Sequence, residues 1–462
     1  MLLALGGLSL IGFVVESVAW WIWVADAVLL LGVLYDMVRV PNPSKLDVRR
    51  SIPDCTGLSV KFTRTVRIDV SSLPRAGGLR VELFEEFSPA FVPHERTVLD
   101  PADRNVIPVP DGPTGRVFPM EQDPTGGADR AVLPSAGPLD LERVYSCTVR
   151  GVYTVGDMRI RLSGPLGLMQ RQKRLFGEQR IRIEPALLGL KNTLRLAASE
   201  RWHDLGVRFL RRRGGVTEFE SMRDYVIGDD RRSLDWKAFA KRGRPIVRQY
   251  QEERGQELIL LVDCGRRMGA TTARGDMRGW TKLDHALDSA LQLAAVALNR
   301  GDRVGMATFD AKLDVWVPPT RGKAQFGRLR DAVFDTQPRE ADSSLGRALQ
   351  QVAVHHRRRA TVLVVSDVAD LLSAGRQRKA LATAISRHKV IFAGLDDPAV
   401  RALATGELEG DPAERAVALH QMEEREKGLA ELGRSGARVL GALPAESAAP
   451  MLAAWLEARR TG

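Results

Sequence analysis

The sequence predicts a membrane-anchored chain of several domains: an N-terminal transmembrane helical hairpin, an antiparallel β-sandwich and a C-terminal doubly wound α/β domain. Three observations predict it. Residues 1–35 are almost wholly apolar. From Gly57 to Pro185 the chain runs in short alternating stretches broken by Gly, Pro and Ser, as antiparallel strands do. From Glu257 onward, continuous apolar runs alternate with amphipathic ones, the pattern of a mostly parallel sheet covered on both faces. A chain of 462 residues exceeds one ordinary core. With 44% hydrophobic and 27% charged residues it is a folding composition, not a disordered one.

At the N-terminus, Met1–Val15 has no charged side chain, Glu16-Ser17 interrupts, and Val18–Tyr35 is apolar except for Asp26. The start "MLLALGG" has neither the basic region nor the small-residue cleavage site of a secretory leader, which favours an anchor. The second segment is long enough to span a bilayer, whereas the first falls short of the roughly 20 residues usual for a span. Trp20, Trp21, Trp23 and Tyr35 near the segment ends suit interfacial anchoring, and Arg39, Lys45, Arg49 and Arg50 place the following domain on the cytoplasmic side. Asp26 is costly within such a span and is expected to face another helix or water. The net charge of +11 suits nucleic acid and an anionic membrane face equally. Cys55, Cys147 and Cys264 are far apart with no Cys-x-x-Cys pair, so neither a disulfide framework nor a zinc site follows, and a reducing compartment is expected.

Residues 1–38 are thus the hairpin anchor, 39–56 a juxtamembrane linker, 57–185 the sandwich, 186–254 a charged connector and 255–462 the α/β domain. Within the sandwich, "LSVKFTRTVRIDV", "LRVELFEEF", "YSCTVRGVYTVGDMRIRL" and "QRIRIEP" read as strands, and Asp100–Gly137 as a long loop. In the last domain "ELILLVD", "DRVGMATFD", "KLDVWVP", "TVLVVSD", "KVIFAGLD" and "ARVLGAL" read as strands. Helices are expected over "KLDHALDSALQLAAVALNR", Ser344–His356, Arg376–Arg387, Ala413–Leu432 and "ESAAPMLAAWLEARR". Ligands of such sheets sit beyond the carboxyl ends of the strands, where Asp263 and Asp367 fall.

The connector ends in "TEFESMRDYVIGDDRRSLDWKAFAKRGRPIVRQYQEER", in which charges of both signs are threaded with aromatics. Gly228-Asp229-Asp230 reads as a turn with a helix-capping carboxylate, leading into a short helix over "DDRRSLDWKAFAKR". Trp236 and Phe239, three apart, would pack on the sheet domain. "PIVRQYQEER" reads as an extended run. On this reading Arg223, Tyr225, Gly228, Asp229, Asp230, Arg232, Asp235, Trp236, Lys237 and Arg248 clasp the two domains and dock a partner. The alternative is a metal-dependent nuclease or a nucleic-acid binder. Asp229, Asp230, Asp235 and Lys237 supply the carboxylates and lysine that phosphodiester cleavage needs, and basic residues interleaved with aromatics can stack bases. Against it, "LDWKAF" lacks the strands that would bring its acids together, and Glu218, Glu220 and Asp224 would repel phosphates. There is no Ser/His/Asp or Cys/His constellation and no Gly-rich phosphate loop, so catalysis is not expected.

This block, with "RGVYTVGDMRIRLSGPLGLMQRQKR" over Arg150–Arg174, resembles the bacterial "domain of unknown function 58" family. The resemblance implies a von Willebrand factor type A-like, Rossmann-like C-terminal domain and attachment to the inner membrane with the soluble domains in the cytoplasm. It also implies a non-enzymatic scaffold or adaptor role beside a MoxR-type AAA+ ATPase, and other membrane or cytoplasmic proteins, in the assembly or maturation of complexes. Nucleic acid is not expected as a partner. Type A domains commonly hold Mg²⁺ on Asp-x-Ser-x-Ser, a Thr and a further Asp. Here "DCGRRMG" keeps Asp263 but has Gly265 and Arg267 in place of the serines, with Ser343 and Asp367 at the other two places. Asp263, Ser343 and Asp367 are the ligands if metal binds. The expectation is instead a site without a cofactor, in which Arg266 or Arg267 is salt-bridged to Asp263 and Asp367.

Overall fold

The structure is a computed structural model that describes residues 16–70, 78–99, 107–108, 129–134, 137–175, 177–198, 219–224, 236, 240, 243–250, 256–272, 279–367 and 375–460. The chain divides into two compact units, Met1–Ile183 and Glu184–Gly462.

The first unit opens with helix α1 (Glu16–Arg39), of which Trp20–Arg39 is long and apolar enough to cross a membrane. Trp20, Trp21, Trp23, Leu30, Leu31 and Leu34 are exposed on it, as lipid-facing side chains would be. The other limb of the expected hairpin, Met1–Val15, lies outside the described residues.

Antiparallel strands follow: β1 (Asp47–Ser51), β2 (Cys55–Gly57), β3 (Phe62–Asp69), β4 (Arg80–Glu85), β5 (Phe91–Leu99), β6 (Ile107–Pro108), β7 (Asp129–Val132), β8 (Pro138–Cys147), β9 (Gly151–Val155), β10 (Met158–Ser163), β11 (Gln170–Leu175) and β12 (Gln179–Glu184). They form sheets in the orders β1-β3-β8-β5-β6, β11-β10-β4-β7 and β2-β12-β9. Because successive side chains alternate in direction, Val66 and Ile68 of β3 and Leu139 and Leu141 of β8 point one way, and meet Val81, Leu83, Ile160 and Leu162 of the second sheet in one core. The stretch read as a linker, residues 39–56, therefore contributes β1 and β2, and β1 pairs with β3 along its whole length. The stretch read as one long loop contains β6 and β7. Two- and four-residue strands are too short for an alternation to register in sequence.

The sandwich also buries charges, with a division between sheets. Arg50, Arg64 and Arg143 come from the first sheet and Glu85 and Asp129 from the second. Arg64 bonds both acids, Arg50 lies 3.5 Å from Glu85 and Arg143 3.4 Å from Asp129. Burial pushes the Glu85 carboxyl up, with Arg64 and Arg50 pulling against it. Such a chain of charges is costly to break, because each member left alone is an uncompensated buried ion.

The second unit carries a six-stranded sheet of order β19-β18-β15-β20-β21-β22: β15 (Glu257–Asp263), β18 (Arg303–Phe309), β19 (Leu313–Thr320), β20 (Thr361–Ser366), β21 (Lys389–Leu395) and β22 (Arg438–Ala442). All neighbours are parallel except β18 and β19. Before the sheet come helix α2 (Leu190–Ala198) and a hairpin of β13 (Phe219–Asp224) and β14 (Ile246–Tyr250). A small ribbon, β16 (Thr271–Thr272) with β17 (Trp280–Thr281), precedes α3 (Lys282–Asn299). The remaining helices are α4 (Lys323–Val333), α5 (Leu345–His355), α6 (Gly375–Arg387), α7 (Pro398–Thr405), α8 (Pro412–Ser435) and α9 (Ala448–Arg460).

Strand β15 shows why its sequence is apolar without alternation. Leu258, Leu260 and Val262 face a core built with α3, α4 and α9, whereas Ile259 and Leu261 face one built with α5, α6 and α8. Both faces are covered, which is the doubly wound arrangement expected. Helices α4 and α7 escaped the sequence reading; "KAQFGRLRDAV" and the eight-residue "PAVRALAT" present too few apolar repeats to stand out.

Candidate functional site

Asp263 ends β15 and Asp367 follows β20, and these strands are neighbours. From β15 the chain passes to β18 on one side, then returns to β20 on the other, so the two carboxylates stand where the strand order reverses, the place where such sheets bind ligands.

Both oxygens of Asp263 are occupied. Ser343 Oγ donates to Oδ1, Ser366 Oγ donates to Oδ2, and the Gly265 N–H donates to Oδ1 at 2.8 Å. Burial pushes the Asp263 carboxyl up to about 6, against the pull of these donors and with a further push from Asp367. Gly265 is required by close approach: a Cβ there would lie 2.1 Å from Ser343 Oγ and 2.8 Å from the Ala341 carbonyl. No serine fits at 265 while Ser343 holds this position. Next to Asp263, Cys264 is buried, donates to the Phe309 carbonyl at 3.1 Å and is pushed up to about 12 by burial, so it remains a thiol.

Lys282 is a buried cation of the site. It is the first residue of α3, after Thr281, whose hydroxyl accepts the Asp284 N–H while Asp284 accepts the Thr281 N–H, a reciprocal cap. Lys282 is 2% exposed, and its Nζ lies 2.9 Å from Asp367 Oδ2 and 3.0 Å from Asp397 Oδ2. Asp397 in turn caps α7, accepting from the N–H groups of Ala399 at 3.0 Å and Val400 at 3.3 Å. Burial pushes the Asp397 carboxyl up, but Lys282 and these two amides outweigh it and hold it below its ordinary range.

For Arg266 the expected bridge is corrected, whereas Arg267 lines the site together with Asp263, Ser343 and Asp367. Arg266 turns outward to Asp342 at 3.0 Å, with both side chains largely exposed. Asp263 takes hydroxyls and an amide rather than a guanidinium, and the ammonium on Asp367 is that of Lys282. The reason is local: Arg266 opens a short turn whose buried member is Met268, and its own side chain is largely exposed. Asp263, Ser343 and Asp367 do come together. In this arrangement Asp263 accepts two hydroxyls and an amide, and Asp367 meets the Lys282 ammonium.

Beside this rim opens a cleft of about 530 Å³, lined by Arg267, Lys282, Asp397 and Arg401 on one side and by His420 and Glu426 of α8 on the other. Its wall carries both signs of charge. Arg425, also lining it, is bonded to Asp396 and donates to the Gly394 carbonyl at 2.8 Å, which fixes α8 to the end of β21.

Chain comparisons can be set beside this geometry. Residues 221–427 match the family model described as "Protein of unknown function DUF58". The matched span runs from β13 into α8 and includes Asp263, Lys282, Ser343, Asp367 and Asp397. Uncharacterized proteins of Mycobacterium tuberculosis (strain H37Rv) and Mycobacterium bovis are 28% identical over 187 residues, 40% of this chain and 56% of theirs. The aligned part thus spans little more than half the length of these relatives. Among solved structures, the conserved hypothetical protein BatB from Bacteroides thetaiotaomicron is similar at 15% identity and a TM-score of 0.31, covering 45% of this chain and 100% of its own. An aerotolerance-related membrane protein from Bacteroides fragilis follows at 16% identity and a TM-score of 0.30, covering 44% of this chain and 98% of its own.

Of the clasp residues, Tyr225, Gly228, Asp229, Asp230, Arg232, Asp235 and Lys237 lie outside the described residues. Arg223 and Arg248 are on β13 and β14, whose register pairs Arg223 with Val247 and Met222 with Arg248. Trp236 is 68% exposed, and Phe239, expected beside it, lies outside the described residues. A three-residue spacing puts two side chains on one helix face without saying what that face meets. Sequence reasoning missed Lys282, Ser366 and Asp397. A signal existed for Lys282, since a lysine at the first position of a helix opposes the helix dipole and calls for a compensating acid.

Proposed function

We propose that this chain is a membrane-anchored scaffold that acts by docking proteins rather than by catalysis. In this reading α1 tethers it to the inner membrane with both units in the cytoplasm. The α/β unit is of the von Willebrand factor A type, and the partner is a MoxR-type AAA+ ATPase engaged in assembling or maturing other complexes. The observation that carries the reading is the state of the rim. Asp263 is bonded to Ser343 and Ser366, and Lys282 joins Asp367 to Asp397, beside an open cleft walled by charges of both signs. Mixed charge at a concave rim gives orientation and specificity to a protein partner, whereas phosphate binding calls for one sign.

The test is affinity purification from detergent-solubilised membranes, read by mass spectrometry, with wild type and with Glu424→Lys/Glu426→Lys. Both glutamates line the cleft and are exposed, so reversing them spares the core. Recovery of an AAA+ ATPase with the wild type and its loss with the double variant is expected. Recovery of no ATPase, or equal recovery with both, refutes the reading.

A further inference from the structure

We propose that the loop Gly164–Met169 of the first unit is a second membrane contact, with Leu166 and Leu168 set into the bilayer interface beside α1. The inference rests on reading α1 as the anchor. Three observations lead to it.

The first is Asp36, in the last turn of α1 and fully buried. Its carboxylate accepts the backbone N–H groups of Leu166 at 3.2 Å, Leu168 at 2.8 Å and Met169 at 3.3 Å. The loop is shaped around it: a Cβ at Gly164 would lie 2.4 Å from the carboxylate carbon.

The second concerns the other amides. Gly164 donates to the Met169 carbonyl at 3.0 Å, Gly167 donates to the Gly164 carbonyl at 3.0 Å, and Pro165 has no N–H to satisfy. Every backbone donor from 164 to 169 is therefore partnered without water. At membrane depth irregular backbone needs partners for its polar groups, and the N–H groups of this loop have them. A loop on a water-facing surface has no such need.

The third is depth. A Cβ on Gly32 would lie 2.9 Å from Leu168 Cδ1 and 3.5 Å from Leu166 Cδ1, so both leucines lie against α1 at that level. Gly32 is inside the apolar stretch Trp20–Arg39. At about 1.5 Å per residue it lies roughly 10 Å from Arg39 along the axis, on the apolar side, which matches the depth at which amphipathic elements sit in the headgroup–acyl boundary. Leu166 is 56% exposed and turns its apolar surface outward there. Arg171, the second residue of β11, lies 3.5 Å from the Met37 carbonyl, which sets a cation near headgroup level just after the loop.

The experiment uses the full chain in vesicles of phosphatidylcholine and phosphatidylglycerol. Leu166→Cys, in a Cys55→Ser background because Cys55 is exposed, carries an environment-sensitive fluorophore. Val132→Cys, on the edge strand β7 of the same unit and 59% exposed, is the control. The 166 probe is expected to be quenched several-fold more strongly than the 132 probe by lipid spin-labelled near the headgroup, and to be correspondingly protected from aqueous iodide. Asp36→Asn or Gly164→Ala should reduce that difference while the protein still floats with the vesicles. Flotation with equal quenching at 166 and 132 overturns the proposal and leaves the anchor intact. Failure to float overturns the anchor and this contact with it.

Discussion

Lys282 joins Asp367 to Asp397 across the rim, and its removal is the most direct probe of that link. A lysine at the N-terminal end of α3 opposes the helix dipole by a few tenths to 1 kcal/mol, which Asp367 and Asp397 more than offset. Lys282→Met keeps the volume and deletes the charge, leaving two carboxylates facing each other over a mostly buried methyl group. We expect a loss of about 2–3 kcal/mol in urea unfolding of the detergent-solubilised protein, less than a fully buried pair would cost because Asp397 still meets water. Asp397→Asn should cost about 1 kcal/mol, since its amide oxygen can still cap α7. If Lys282→Met is no more harmful than Asp397→Asn, the lysine is not the counter-charge of the site.

At the scale of elements, α3 links the polar rim to the connector. Its Asp288 accepts the Leu187 N–H at 2.6 Å and the Gln292 amide at 2.6 Å, while Gln292 accepts the Thr193 hydroxyl of α2. On the same helix His285 is buried, bonded to Thr272 Oγ1 at 2.8 Å and packed on Trp280, with burial lowering it from the ordinary 6.5 to about 4. The sign follows from linkage. Between these values the unfolded chain takes up a proton at this residue and the folded chain does not, so stability present above about pH 6.5 is lost as pH falls toward 4. Asp263 and Asp288, both pushed up to about 6, act oppositely in the same window. Wild type alone will therefore show a muted response. The difference between wild type and His285→Gln isolates the ring: the wild type should lose up to about 3 kcal/mol relative to the variant between pH 6.5 and 4. A constant difference across that range would mean the imidazole is not held neutral. The same helix shows what was legible in the sequence. The apolar face of "KLDHALDSALQLAAVALNR" and the strand runs gave the layers, and Asp263 and Asp367 fell at strand ends as read. Lys282 was read as part of a helix only, because its partners come from two distant loops and no local spacing links them. Likewise, nothing in "GPLGL" reveals that its amides converge on a carboxylate from another element.

At the scale of the molecule, a chain of net charge +11 could hold to a membrane either by charge or by insertion, and the two mechanisms part under salt. Adhesion through exposed lysines and arginines acts over the Debye length, about 8 Å at physiological ionic strength and 3 Å at 1 M, so concentrated salt should strip it. Insertion of Trp20–Arg39 removes apolar surface from water, a term that salt does not screen. The exposed tryptophans and leucines of α1 favour the second, because in water such a surface would exceed what soluble proteins leave uncovered. Membranes carrying the full chain, washed in about 1 M NaCl and then in alkaline carbonate, should retain it in the pellet, and only detergent should release it. Release by salt would assign the attachment to the basic surface, making α1 a helix that some other protein covers.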